Sequence, residues 1–253
     1  MRLIDARRAY LTGILLPSLL WISIANAAGP KYGPEALPLT TPAGNAYFHS
    51  HAAPDFWALM PFYAAQTDDS ACSVATVQML VNAVRGDHGL SKDDELATQP
   101  TLVEKVKNKA WHRGIPGALA GKGVTLDELG DIARAALEAY GIQAASIEVV
   151  HADGTSSDML NKLHEALVEN EKSAHDFILI NFNQGVYTGD AQIGHIAPIG
   201  AYDEKNRRAL VLDPDRRWYA PYWVSEKTLL AGMATRDQQS SKNRGWVYIR
   251  VKP

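Results

Sequence analysis

Val74, Val77, Leu80, Val81 and Val84 recur at helical spacing, so residues 73–84 are predicted to form a helix that Gly86 ends. The polar, acidic run before it puts Cys72 in the first turn. A second helix opens on a capping box, Thr125 with Glu128. Its apolar face is Leu126, Leu129, Ile132, Ala133, Ala136, Leu137 and Tyr140, and Gly141 closes it. Further helices are expected at 101–111, 157–170 and 225–234, with a loop from Gly114 to Gly123. Residues 177–182, 195–202, 208–212 and 246–251 carry the apolar, β-branched and aromatic content of strands, with a hairpin turn at 203–206. Helices first and antiparallel strands second predict an α+β fold in two layers.

The first 27 residues differ from the rest. Arg2, Arg7 and Arg8 precede an apolar stretch from Leu11 to Ile24, which ends in the small residues Ala25, Asn26, Ala27 and Ala28. This order is that of an export signal, expected as residues 1–27. It implies a periplasmic protein without stable membrane association, the alternative being an uncleaved anchor facing the periplasm. Residues 28–54, rich in Pro and Gly, are expected to be an extended arm, and 55–253 a single catalytic domain.

The chain has 253 residues and 46% hydrophobic content, enough to bury one core. Removing the three Arg and one Asp of residues 1–27 takes the formal charge from −3 to −5. No basic cluster remains to suggest a nucleic-acid partner. With one cysteine, Cys72, no internal disulfide can form. A lone thiol in an oxidising compartment is either buried or chemically employed.

A cysteine nucleophile needs thiolate character, a base and oxyanion donors. A helix N-terminus and an adjacent imidazolium supply the first. His195, after a glycine at the start of an apolar strand, is the candidate base, and Asp213 ends the next strand. A tight hairpin brings these two strand ends side by side, where an Asp orients the imidazole. Taken singly, each has an ordinary reading: a half-buried strand histidine, and an Asp-Pro turn. Gln66, six residues before Cys72, is a candidate oxyanion donor or a polar loop residue. His49 and His51 could make a weak metal site, though a solvated arm suits them better.

These residues resemble the catalytic domain of phytochelatin synthases, the shorter bacterial members above all. The matching pieces are Gln66 with Cys72, Val74 and Ala75; GVTLDEL at 123–129; GHIAPIGAY at 194–202; and Asp213 with Arg216, followed by YAPYWV at 219–224. The resemblance implies a papain-like fold, with a helical lobe carrying the cysteine and a sheet lobe carrying His195 and Asp213. It implies that Cys72 attacks the Cys–Gly bond of glutathione, releases glycine and holds a γ-glutamylcysteinyl thioester for water or a second glutathione. His195 would shuttle protons, Asp213 orient it, Gln66 with the Cys72 amide hold the oxyanion, and Arg216 bind a substrate carboxylate or support Asp213.

No permanently bound cofactor or protein metal site is implied. Cadmium or zinc would arrive as a metal–glutathione thiolate, and a homodimer is possible. Ser73, Gln184, Ala197 and Trp218 depart from the family pattern, where Gly, Arg, Ser and a basic residue are usual. They weaken the case for a second substrate site and favour hydrolysis. Two alternatives stay open: an exported papain-like peptidase acting on other peptides, and a non-catalytic periplasmic thiol- or metal-binding protein.

Overall fold

The computed structural model describes residues 31–114 and 123–252. The export signal expected at 1–27, the first three residues of the arm and most of the 114–123 loop lie outside them. In chain order the elements are β1 (Ala36–Pro38), α1 (Pro42–Asn45), α2 (Pro54–Leu59), α3 (Cys72–Asp87), α4 (Gln99–Val106), α5 (Lys109–Gly114), α6 (Leu126–Ala139) and β2 (Ala144–His151). Then come α7 (Ser157–Asn170), β3 (Asp176–Asn183), α8 (Gln184–Thr188), β4 (Gly194–Asp203), β5 (Arg208–Val211), β6 (Tyr222–Ser225), α9 (Glu226–Met233) and β7 (Gly245–Val251).

The strands form one seven-stranded antiparallel sheet in the order β1-β6-β5-β4-β3-β7-β2, so the molecule is α+β. Helices cover both faces, which makes three layers where two were expected. On β3, Phe177 and Leu179 face a core shared with α3, α4 and α6, while Ile178, Ile180 and Phe182 face one shared with α7 and α9. The cause is visible in the run FILINF. A strand buried on one face alternates apolar and polar, whereas one buried on both is apolar throughout.

Helix α3 is buried along most of its length, from Cys72 to Val84. Each of its buried Val and Leu side chains contributes about 1.5–3 kcal/mol relative to exposure. This fixes the helix against β4, where the Thr76 hydroxyl donates to the Ile196 carbonyl at 3.1 Å. Helix α6 starts where its capping box predicts, the Thr125 side chain accepting from the Glu128 amide and the Glu128 side chain from the Thr125 amide.

Residues 31–54, expected as a free arm, join the fold instead. Strand β1 pairs with β6, and the Trp223 indole donates to the Gly44 carbonyl at 2.7 Å. The Pro-rich composition suits an edge strand and short helices opened by proline as well as it suits a linker. Strand β2, absent from the sequence-based expectation, is the opposite edge. Its residues are mostly half-buried, so they lack a clear apolar alternation.

Candidate active site

The β4–β5 hairpin sets the centre of the site. It brings His195, near the start of β4, beside Asp213, just past the end of β5, with Nε2 donating to Oδ1 at 2.7 Å. Both residues are buried. Asp213 is satisfied on every side. Oδ1 also accepts the Asp215 amide at 2.8 Å, and Oδ2 accepts the Tyr222 hydroxyl at 2.8 Å and the Gln184 amide at 3.2 Å. Its backbone carbonyl accepts the Tyr63 hydroxyl at 2.5 Å.

Burial pushes the Asp213 carboxyl up, but His195, the Asp215 amide and the Tyr222 hydroxyl outweigh it and leave the group below the ordinary carboxylate range. Burial likewise opposes charge on His195, yet Asp213 and then Cys72 hold its pKa well above the usual imidazole value. The pair is therefore an imidazolium–carboxylate pair. The Phe182 ring lies edge-on to the imidazole at 5.5 Å and limits its rotation.

Cys72 begins α3, whose N-cap, Ala71, offers no side-chain cap to the first-turn amides. With Nε2 of His195 committed to Asp213, the Nδ1 side of the ring remains for Cys72, which lines the same cavity and helps to raise the imidazole pKa. Ser73 accepts the Trp111 indole N–H at 3.1 Å, a buried anchor that a glycine there could not provide.

Cys72 and His195 open on a cavity of about 550 Å³ that Gln66 also lines. The Gln66 backbone amide donates to the Pro214 carbonyl at 2.9 Å, which ties the loop before Cys72 to the one after Asp213. Its amide oxygen is buried without a hydrogen-bond partner.

Arg216 lies outside this lining. Its guanidinium sits over the Tyr63 ring at 4.5 Å and donates to the Tyr63 carbonyl at 3.1 Å, so it clamps a residue that itself holds Asp213. The arginine that lines the cavity is Arg244, fixed by donation to the Arg236 carbonyl and the Thr235 hydroxyl. Asn181 also lines it, 4% exposed, with a side-chain amide that makes no hydrogen bond among the described residues. Asp69, Asp215 and Asp237 also line it and were passed over by sequence reasoning, their one signal being proximity in sequence to Cys72, Asp213 or strand ends. Trp218, noted above as a departure from the family pattern, lines it too. His51 stacks on Tyr47 at 4.1 Å and accepts or donates locally, away from this cavity.

A cysteine at a helix start, facing an imidazole held by a buried carboxylate, is the constellation of cysteine acyl-transfer enzymes. The phytochelatin synthase family model matches residues 32–246, and the chain belongs to that family. It is 26% identical over 241 residues to glutathione γ-glutamylcysteinyltransferase 1 of Arabidopsis thaliana, covering 92% of this chain and 42% of the relative. It is 24% identical to glutathione γ-glutamylcysteinyltransferase 3 of Lotus japonicus, covering 93% and 43%, and 24% identical to the Schizosaccharomyces pombe glutathione γ-glutamylcysteinyltransferase, covering 77% and 43%. The chain thus spans about two fifths of the length of these relatives.

Proposed function

We propose that this chain is a glutathione γ-glutamylcysteinyltransferase with a papain-like arrangement of Cys72, His195 and Asp213. The observation that carries the proposal is the Asp213–His195–Cys72 array opening on a cavity with charged groups of both signs. Glutathione has two carboxylates and one ammonium. Arg244 suits the former, and Asp237, which lines the same cavity, suits the latter.

As a thiolate, the form in which a cysteine is nucleophilic, Cys72 at the start of α3 attacks the carbonyl of the Cys–Gly bond. Gln66 and the Cys72 backbone amide donate to the oxyanion, a contribution of about 3–4 kcal/mol per well-placed donor in such enzymes. As the C–N bond breaks, His195 gives its proton to the departing glycine amine. The γ-glutamylcysteinyl group remains as a thioester on Cys72. Now neutral, His195 draws a proton from the incoming nucleophile while Asp213 holds the ring in place. Water yields γ-glutamylcysteine, and a second glutathione yields a phytochelatin. Hydrolysis is the easier outcome, since water needs no ordered second site. Cadmium or zinc enters as part of a metal–glutathione thiolate substrate. The order of basic, apolar and small residues in 1–27 supports export to the periplasm.

Mass spectrometry of the protein after brief incubation with glutathione tests this. A γ-glutamylcysteinyl adduct on Cys72 together with free glycine is expected. Folded, reduced protein giving neither would remove glutathione as the substrate and leave the peptidase or thiol-binding alternative.

A further inference from the structure

The acyl-enzyme must be resolved by a nucleophile, and on the reading above the acceptor in phytochelatin formation attacks through an amine. At neutral pH such an amine arrives as an ammonium. It has to be held near the thioester and stripped of a proton before it can react.

Two of the carboxylates that line the cavity of Cys72 and His195 suit this role. Asp69 stands three residues before Cys72, and Asp215 stands two residues after Asp213; both line the cavity that contains Cys72 and His195. Among the described residues neither carboxylate has a hydrogen-bond or ion-pair partner, although Arg216 and Arg217 follow Asp215 directly. Arg216 is turned away onto Tyr63, and Arg217 onto the Trp218 ring at 5.5 Å. The main chain of Asp215 is fixed, its amide on Asp213 and its carbonyl on the Trp218 and Tyr219 amides. Its carboxylate is therefore held at the cavity wall by backbone contacts alone and is free to meet a ligand. Asn181, buried and without a side-chain hydrogen bond among the described residues, lines the same cavity and is a second polar group that a ligand would meet.

We propose that Asp215, assisted by the charge of Asp69, binds the ammonium of an amine acceptor and takes its proton for attack on the Cys72 thioester. The freed amine adds to the thioester carbonyl, forming the C–N bond. As the C–S bond breaks, the second N–H proton passes to neutral His195. This regenerates the thiolate and imidazolium, and Asp215 returns its proton to solvent. Burial, then the charges of Asp213 and Asp69, hold the Asp215 carboxyl above the ordinary carboxylate range, against the opposite pull of His195 and Arg217. Such a carboxylate is a stronger base than a free one. Water carries no charge to be held, so this device acts on transfer and not on hydrolysis.

The test uses the full chain with glutathione as donor and two added acceptors: glycinamide, a cation, and hydroxylamine, neutral at the assay pH. Mass spectrometry follows the free acid, the amide and the hydroxamate, whose ratios are internal to each variant. In Asp215→Asn, which keeps the backbone contacts, the amide-to-acid ratio is expected to fall about tenfold, or about 1.4 kcal/mol. Asp215→Glu should restore most of it, and the hydroxamate-to-acid ratio should hold in both variants. An unchanged amide ratio overturns the proposal, as does an equal fall of both ratios, which would mean that Asp215 acts by positioning Asp213. If the wild-type protein releases no glycine from glutathione, the functional proposal fails and this one with it.

Discussion

Asp213 accepts four hydrogen bonds through two carboxylate oxygens, and every donor comes from a different part of the chain. Its partners fix both the position and the charge of the imidazole. Asp213→Asn keeps the shape but presents an amide to groups that are themselves donors, so turnover is expected to fall by about 10³–10⁴-fold. Single-turnover glycine release measures this.

The same pair sets a pH window for stability. Asp213 lies below its ordinary value of 3.8, so its contribution is present above that value and is lost as pH falls through the depressed one. His195 lies above its ordinary value of 6.5, so its contribution is complete below 6.5 and is lost as pH rises through the raised one. The stability difference between wild type and His195→Gln, from urea titrations, should be flat between these two values and shrink on either side. The placement of Cys72 at a helix start, and of His195 beside Asp213 across a hairpin, was legible in the sequence because a helix start and a short hairpin are local signals. Tyr222, Gln184 and Asn181 were not, because their roles depend on which sheet neighbours they meet.

At the level of elements, α3 and α6 were readable from period and caps, since each keeps one continuous apolar face. The start of α3 depends on a contact that no local pattern announces: Ser73, buried, accepting from the indole of Trp111 on α5. Ser73→Ala leaves that N–H unpaired and should cost about 1–3 kcal/mol in denaturant unfolding. Thr125→Ala should cost about 1 kcal/mol by removing the α6 cap. Strand β7 begins at Gly245, where a Cβ would collide with the Val150 carbonyl of β2. Gly245→Ala should therefore open the β2–β7 pairing and cost more than about 3 kcal/mol, seen as a large fall in melting temperature. Strands β2 and β6 escaped sequence reasoning for different reasons. The first is a half-buried edge, and the second is only four residues long and directly abuts α9.

On the scale of the whole molecule, the α+β class followed from the order of helical and strand patterns, but the third layer did not. It needs α7 and α9 to pack on the face of the sheet away from α3, an arrangement set by which apolar strand residues point where. The segment before α2 was read as an arm because proline-rich composition marks both linkers and sheet edges. Deleting residues 31–41 should uncover the β6 edge and make the protein self-associate, which light scattering would reveal.

That edge also governs how the chain matures. Ala36 pairs with Val224, so the first described strand to be synthesised waits for one of the last. Closing so long a loop is entropically slow, and such pairings lengthen folding times. The growing polypeptide cannot complete its sheet domain by domain as it emerges. Until the C-terminal quarter has appeared, helix α3 can form while the edge of the sheet remains open, a stage at which a chaperone or a protease would find its grip.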